Sequence, residues 1–264
     1  MFSPVAWDPA QYLKFADHRL RPAVDLLNRI DAEHPAEIYD LGAGAGNVTR
    51  LLKARWPGAR VTGVDGSREM LAKAAASAPE ITWEHADLAT WKPSRSADII
   101  YSNAALHWLS GHDRLFPALL SAVNPGGVLA VQMPRNFAAP SHTAIAEAAR
   151  SGPWRTALEP LLRPAPVAEP AFYFDVLAPR AAAVDIWETE YVQVLEGEHP
   201  VKEWTKGTWL KPLLDALEEP ERGRFEARYA ELVARAYPRR ADGRTLFPFR
   251  RLFIVATARP HGGQ

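Results

Sequence analysis

The chain has 264 residues, 47% of them hydrophobic and 23% charged, an ordinary globular balance with length for one large α/β domain or two small ones. Its 31 Lys and Arg match its 31 Asp and Glu, so the formal net charge is zero, which argues against a mainly electrostatic nucleic-acid binder but leaves a local basic patch open. The absence of cysteine excludes disulfides, thiolate nucleophiles and thiolate-held zinc or iron–sulfur centres.

The opening stretch, MFSPVAWDPAQYLKF, lacks a basic segment followed by an apolar one and does not read as a signal peptide. No apolar run approaches the length of a bilayer span, so the expectation is a soluble cytoplasmic protein. Residues from about 9 to 30 read as a helix, with Asp8 placed to cap it and Pro9 in its first turn. AEIYDLGAG then reads as a short strand running into a glycine turn, and NVTRLLKARW as an amphipathic helix stopped by Pro57 and Gly58. ARVTGVDGS is the next strand, REMLAKAAASA a helix, ITWEHADL a third strand, and SADIIYSNAALHWL holds a fourth. A helix around DRLFPALLSAV and a strand at PGGVLAVQM follow. Strands alternating with helices through short loops predict a parallel sheet covered on both faces.

The pattern changes after about residue 134. SHTAIAEAAR looks helical, and GPWRTALEPLLRPAPVAEP reads as a loop with little regular structure. AVDIWETEYVQVL alternates and reads as strand six, and RRLFIVATAR as strand seven, with mostly helical sequence between them. The expectation is one domain over 1–264, with helical cover at about 1–33 and helical or loop insertions at about 135–180 and 198–248 forming a substrate lid. Nine Trp and 23 Pro are many for this length, and the Trp fall mostly outside the apparent strands, which hints at a ligand-lining or cap role.

The chemistry-bearing stretch is YDLGAGAGNVTRLL. Strand one closes on Asp40 and Leu41, and Gly42, Gly44 and Gly46 follow at every second position. A dinucleotide fingerprint needs its third glycine at position 47, which is Asn47, and no Tyr-x-x-x-Lys arrangement is evident. Strand two ends at Asp65, where a carboxylate can accept from both hydroxyls of a ribose, and strand three at Asp87. Each signal also has a plain structural reading: a glycine triplet as a tight turn, Asp65 as a helix cap, Asp87 as a solvated loop residue. The coincidence of three acidic strand ends favours a ligand, because open α/β sheets bind ligands beyond the carboxyl ends of their strands.

The Asp-x-Gly-x-Gly-x-Gly spacing resembles motif I of class I S-adenosylmethionine-dependent methyltransferases, and WDPAQYLKFADHRLRPAVDLL, NPGGVLAVQMP, FYFDVL and RLFIVAT resemble the trans-aconitate 2-methyltransferase family. Ala43 and Ala45 stand where relatives often carry Cys and Pro, a change between small residues. The resemblance implies a Rossmann-like α/β fold with a seven-stranded, mostly parallel sheet. It implies S-adenosylmethionine as cofactor, S-adenosylhomocysteine as product, and a cofactor site of Asp40, Gly42, Ala43, Gly44, Gly46, Asp65, Gly66, Asp87, Leu88, Asn103, His107 and Trp108. Tyr12, Phe15 and Arg19 lie on one face of the first helix and either cover the cofactor or, for the two aromatics, pack it down.

The implied reaction is transfer of the methyl group to one carboxylate of trans-aconitate, giving a monomethyl ester. A carboxylate titrates near ~4 and is already ionised at neutral pH, so no general base and no metal are expected. Three carboxylates call for cations, preferably guanidinium groups: Arg19, Arg135, and Arg250 or Arg251 just before strand seven. His107 either donates to a carboxylate or caps a helix, and Tyr173, Trp204 and Trp209 either line the acceptor pocket or pack it. A different acceptor (another polycarboxylate, a phenol or an amine) and a cofactor-binding protein without turnover remain open, and a monomer is expected rather than an obligate oligomer. A phenol or amine would need a base, and His107 is the one candidate in view.

Overall fold

The structure is a computed structural model that describes residues 20–207 and 209–260. The helix expected over about 9–30 is described as α1 (Arg21–Asn28), with Pro22 in its first turn; Asp8, Pro9, Tyr12, Phe15 and Arg19 lie outside the described residues. There follow β1 (Glu37–Leu41), α2 (Asn47–Arg55), β2 (Arg60–Asp65), α3 (Arg68–Ser77), β3 (Thr82–His85) and β4 (Ala97–Asn103). After a 3-10 turn at Leu106–Trp108 come α4 (His112–Ser121), β5 (Val123–Pro134), α5 (Pro140–Arg150), α6 (Arg155–Leu158) and α7 (Pro170–Leu177). The chain ends with β6 (Ala181–Leu195), α8 (Pro200–Lys206), α9 (Lys211–Asp215), α10 (Glu221–Ala236) and β7 (Thr245–Ala258).

One seven-stranded sheet has the order β3-β2-β1-β4-β5-β7-β6. The first five strands run parallel, and β7 returns antiparallel to β5. β1, β2 and β4 are buried on both faces, which is why they read as apolar runs rather than as alternating ones. Helix boundaries follow local chemistry: Ser67 caps α3 by accepting from the Met70 amide at 3.3 Å, and Gly46 enters α2 in the left-handed region. The strand order reverses direction between β1 and β4, so their carboxyl ends open a crevice.

The described chain forms two compact units. The first takes in the residues through Pro134, then Val167–Thr189, then those from Arg251 on; the second is Arg135–Pro166 with Glu190–Arg250. The second unit has its own core, in which Trp154, Leu158, Leu213, Phe225, Tyr229, Phe247 and Phe249 are buried. Its Tyr229 hydroxyl donates to the Ser141 carbonyl at 2.8 Å and pairs with the Thr205 hydroxyl at 2.9 Å.

Two expectations need correction. The proline-rich stretch after residue 150 is not plain loop: α6 and a 3-10 turn at Glu159–Leu161 form there, because Trp154 and Leu158 sink into the core and the Trp154 indole N–H donates to the Ala148 carbonyl at 2.9 Å. Arg250 and Arg251 do not precede strand seven but lie within it, since β7 begins at Thr245, where Thr245, Phe247 and Phe249 alternate inward.

Candidate active site

The glycine turn is built by close approach. Gly42 has φ +81°, and a Cβ placed there would lie 2.1 Å from the Cβ of Ala105, in the segment after β4. Gly46, at φ +78°, would set a Cβ 2.5 Å from the Trp83 ring. Gly44 differs: its φ is +55°, yet among the described residues nothing lies within 4 Å of where its Cβ would be. Two of the three glycines thus serve the protein's own packing, and the middle one has no described neighbour at that point.

Asp65 holds this turn in place. Its Oδ2 accepts from the Gly44 amide and its Oδ1 from the Ser67 amide, each at 2.8 Å. The Gly42 and Ala43 amides donate to the Val64 carbonyl at 2.8 and 3.1 Å. The cap of α3 is Ser67, not Asp65 as the plain structural reading had it, and each Asp65 carboxylate oxygen keeps a further lone pair for a ligand.

Asp40 lies beneath the turn, buried, with its Oδ2 accepting from the Thr49 hydroxyl at 2.6 Å. Burial pushes its pKa up to about 7, against the Thr49 hydrogen bond and with a further push from the Asp65 charge. The raised value means that the folded state favours the protonated form. Its stabilising contribution is full below the ordinary value of 3.8 and is lost as pH rises to about 7. Asp40→Asn, which keeps an acceptor for Thr49, should gain on the wild type across that window by up to about 4 kcal/mol. Urea unfolding of both proteins at the two ends of the window checks this; parallel stability profiles would contradict it.

The remaining cofactor candidates sit along the same edge. Asp87 is exposed, with Oδ1 accepting from the Ala89 amide at 2.9 Å, and Leu88 approaches the Gly42 position to 3.9 Å. Gly66 is exposed, and its carbonyl accepts from the His85 ring at 3.1 Å. Ala104 takes a left-handed φ of +54°, an uncommon conformation for a residue with a Cβ, and its amide donates to the Gln132 carbonyl at 2.9 Å. That kink turns the chain after β4 so that Ala105 meets Gly42. Asn103 is half-buried, and its Oδ1 has no partner among the described residues.

His107 is buried, its Nδ1 likewise has no partner among the described residues, and its ring lies 4.6 Å from that of the exposed Trp108. Burial first, then the charge of Arg251, then His112 bring its pKa down to about 3. The turn carrying His107 is held by a relay that sequence reasoning missed. The Tyr173 hydroxyl donates to His112 Nδ1 at 2.8 Å, and His112 Nε2 donates to the Leu106 carbonyl at 3.0 Å.

A methyltransferase-domain family model matches residues 38–127, the span from β1 into β5. The chain is 48% identical over 250 residues to trans-aconitate 2-methyltransferase of Azoarcus sp., covering 95% of this chain and 98% of the relative. It belongs to the trans-aconitate 2-methyltransferase family. The enzyme of that name from Streptomyces avermitilis is 47% identical over 260 residues, covering 95% of this chain and 96% of the relative. Among solved structures, the fold is similar to the YcgJ protein of Bacillus subtilis, with a TM-score of 0.58 at 14% identity, covering 90% of this chain and 98% of that one. It is also similar to phosphoethanolamine N-methyltransferase 2 of Haemonchus contortus in complex with S-adenosyl-L-methionine, with a TM-score of 0.52 at 16% identity over 91% of this chain. This methyltransferase spans about half, 53%, of the length of the Haemonchus contortus chain.

The acceptor candidates separate on inspection. Tyr173 is fully buried with its hydroxyl engaged, so it positions the His107 turn rather than facing a ligand. In the second unit, Trp204 packs on Phe247 and Phe249, and Trp209 on Phe137 and His142. Arg135 is half-buried there, with its amide donating to the Arg250 carbonyl at 3.0 Å, and Arg250 is exposed. Arg251 is the buried cation, 8% exposed, close enough to His107 to lower its pKa. Among the described residues no group of three His, Asp or Glu side chains could hold a metal, and no helix is long and apolar enough to cross a membrane.

Proposed function

We propose that this methyltransferase transfers the methyl group of S-adenosylmethionine to a carboxylate of trans-aconitate, giving a monomethyl ester and S-adenosylhomocysteine. The observation that carries the reading is end-to-end similarity to enzymes of that name, 48% over 95% of the chain. The geometry of the first unit agrees with it. Gly44 leaves room for close backbone approach, and Asp65 offers two fixed acceptors to ribose hydroxyls. Asp87 and Leu88 suit the adenine, and Asn103 the amino-acid portion. When bound, S-adenosylmethionine supplies a methyl whose bond to sulfur breaks as the bond to the carboxylate oxygen forms, the sulfur keeping the electron pair.

What the chain contributes is orientation and exclusion of water. Arg251 fixes acceptor carboxylates, and His107 stays neutral and can only exchange hydrogen bonds. A histidine with a pKa near 3 is a poor general base at neutral pH, which favours an acceptor that arrives already ionised over a phenol or an amine.

The test is the pH dependence of kcat with trans-aconitate. The expected profile is flat from about pH 6 to pH 9, and His107→Gln should keep that shape. A rising limb with an apparent pKa between those limits, lost on substituting His107, would contradict the base-free reaction.

A further inference from the structure

β5 is apolar through Val128–Met133 except at Gln132, which is fully buried. Among the described residues neither amide atom of its side chain has a hydrogen-bond partner. A buried carboxamide can make up to four hydrogen bonds, and leaving all of them unmade in a strand otherwise filled by Val, Leu, Ala and Met is costly. An apolar residue would serve the core better.

Register places this group. Gln132 stands opposite Asn103 on β4 and opposite Phe253 on β7, and Pro134, two residues on, stands opposite Arg251. Residues directly opposite, and those two apart on a strand, share a face of the sheet. Asn103, Gln132 and Arg251 therefore occupy one face at the carboxyl ends of β4 and β5. Asn103 Oδ1 there also has no partner among the described residues.

The position relative to the glycine turn decides which ligand the amide serves. Gly42, Asp65 and Asp87 follow β1, β2 and β3, on one side of β4, while β5 lies on the other side. Gln132 is two strands from β1, about 10 Å across the sheet, beyond the segment that meets Gly42. With the cofactor on the β1–β3 side as proposed above, that side of β4 is left for the group receiving the methyl.

We infer that Gln132 is an acceptor-binding residue whose side-chain N–H donates to a carboxylate of a small polycarboxylate, from the face it shares with Asn103 and Arg251. The inference rests on the reaction proposed above. Because the amide is buried, the acceptor reaches it only as the side chains over it move aside. The neutral amide adds direction without adding charge, complementing the guanidinium of Arg251.

The experiment compares wild type, Gln132→Leu and Gln132→Glu in steady-state turnover, S-adenosylhomocysteine binding and thermal unfolding. Gln132→Leu should raise KM for trans-aconitate by about 10- to 100-fold, the worth of one hydrogen bond to a charged group. Its affinity for S-adenosylhomocysteine should stay within about twofold, and its Tm should equal or exceed the wild-type value. Gln132→Glu, of the same shape but anionic, should lose more acceptor affinity. Should that variant not fold, Gln132→Met takes its place, with the same outcome expected as for leucine. An unchanged KM in Gln132→Leu overturns the inference, as does an equal loss of S-adenosylhomocysteine affinity, which would make Gln132 a cofactor residue. These outcomes are read against a wild type that methylates trans-aconitate; a wild type that turns over no polycarboxylate overturns the proposed reaction itself.

Discussion

Replacing Asp65 by alanine should weaken binding of S-adenosylhomocysteine by about 30- to 1,000-fold, with a much smaller effect on folding. The magnitude follows from two losses at one point. The carboxylate accepts from the Gly44 and Ser67 amides, so its removal frees the middle of the glycine turn and the start of α3. Its remaining lone pairs are those assigned to the ribose hydroxyls, and hydrogen bonds to a charged acceptor are the stronger kind. Both amides are only partly buried, so water can replace the lost intramolecular bonds and the fold should survive. Asp65→Asn, which offers one acceptor oxygen instead of two, should fall between wild type and Asp65→Ala. Titration calorimetry with S-adenosylhomocysteine is the measurement, and an unchanged affinity in Asp65→Ala would remove the ribose from this strand end.

The second large effect separates two glycines that look alike in sequence. Gly42→Ala should destabilise the protein by about 3 kcal/mol or more, because the new methyl meets the Ala105 Cβ at 2.1 Å and the residue is held at φ +81°. Ala105 has no flexible side chain to withdraw, and it follows the strained Ala104, so the backbone after β4 must shift. Gly44→Ala should cost only the left-handed backbone, about 1–2 kcal/mol, since nothing described lies within 4 Å of its Cβ. Cofactor affinity should nevertheless fall at least about tenfold in Gly44→Ala, because the methyl enters the space assigned to the ligand. Denaturant unfolding and cofactor titration on both variants check the pair. Equal stability losses with unchanged affinity in Gly44→Ala would mean that the middle glycine, too, serves only the turn.

The sheet was legible because its strands are apolar runs punctuated by glycine and proline, and the edge proposed for the cofactor stood out because chemistry gathers at strand ends. Asp40, Asp65 and Asp87 each close or follow a strand, and two of the alternating glycines, Gly42 and Gly46, mark a turn too tight for side chains. Other features depend on contacts that no local pattern encodes. The left-handed Ala104 carries no signal, being an alanine in a glycine's conformation, yet it brings Ala105 against Gly42. Arg250 and Arg251 are neighbours in sequence, and only the pairing of β7 with β5 determines that Arg251 turns inward. Tyr173 read as a possible ligand contact because its partner, His112, is 61 residues away. Trp204 and Trp209 left two readings open, pocket lining or packing, because aromatic residues in an insertion look the same whether they face a ligand or a second core. Gln132 did leave a trace, a single amide in an apolar strand, but its meaning required the register that sets it beside Asn103.

The most direct measurement is turnover by the purified protein with S-adenosylmethionine and, separately, trans-aconitate, cis-aconitate, isocitrate and citrate. S-adenosylhomocysteine release is followed, and the organic product is weighed by mass spectrometry. The expected result is release at the same rate as formation of a trans-aconitate monomethyl ester, with the other three acids much poorer acceptors. Tight S-adenosylhomocysteine binding with no ester from any of the four would leave the cofactor site standing and contradict carboxyl methyl transfer to trans-aconitate.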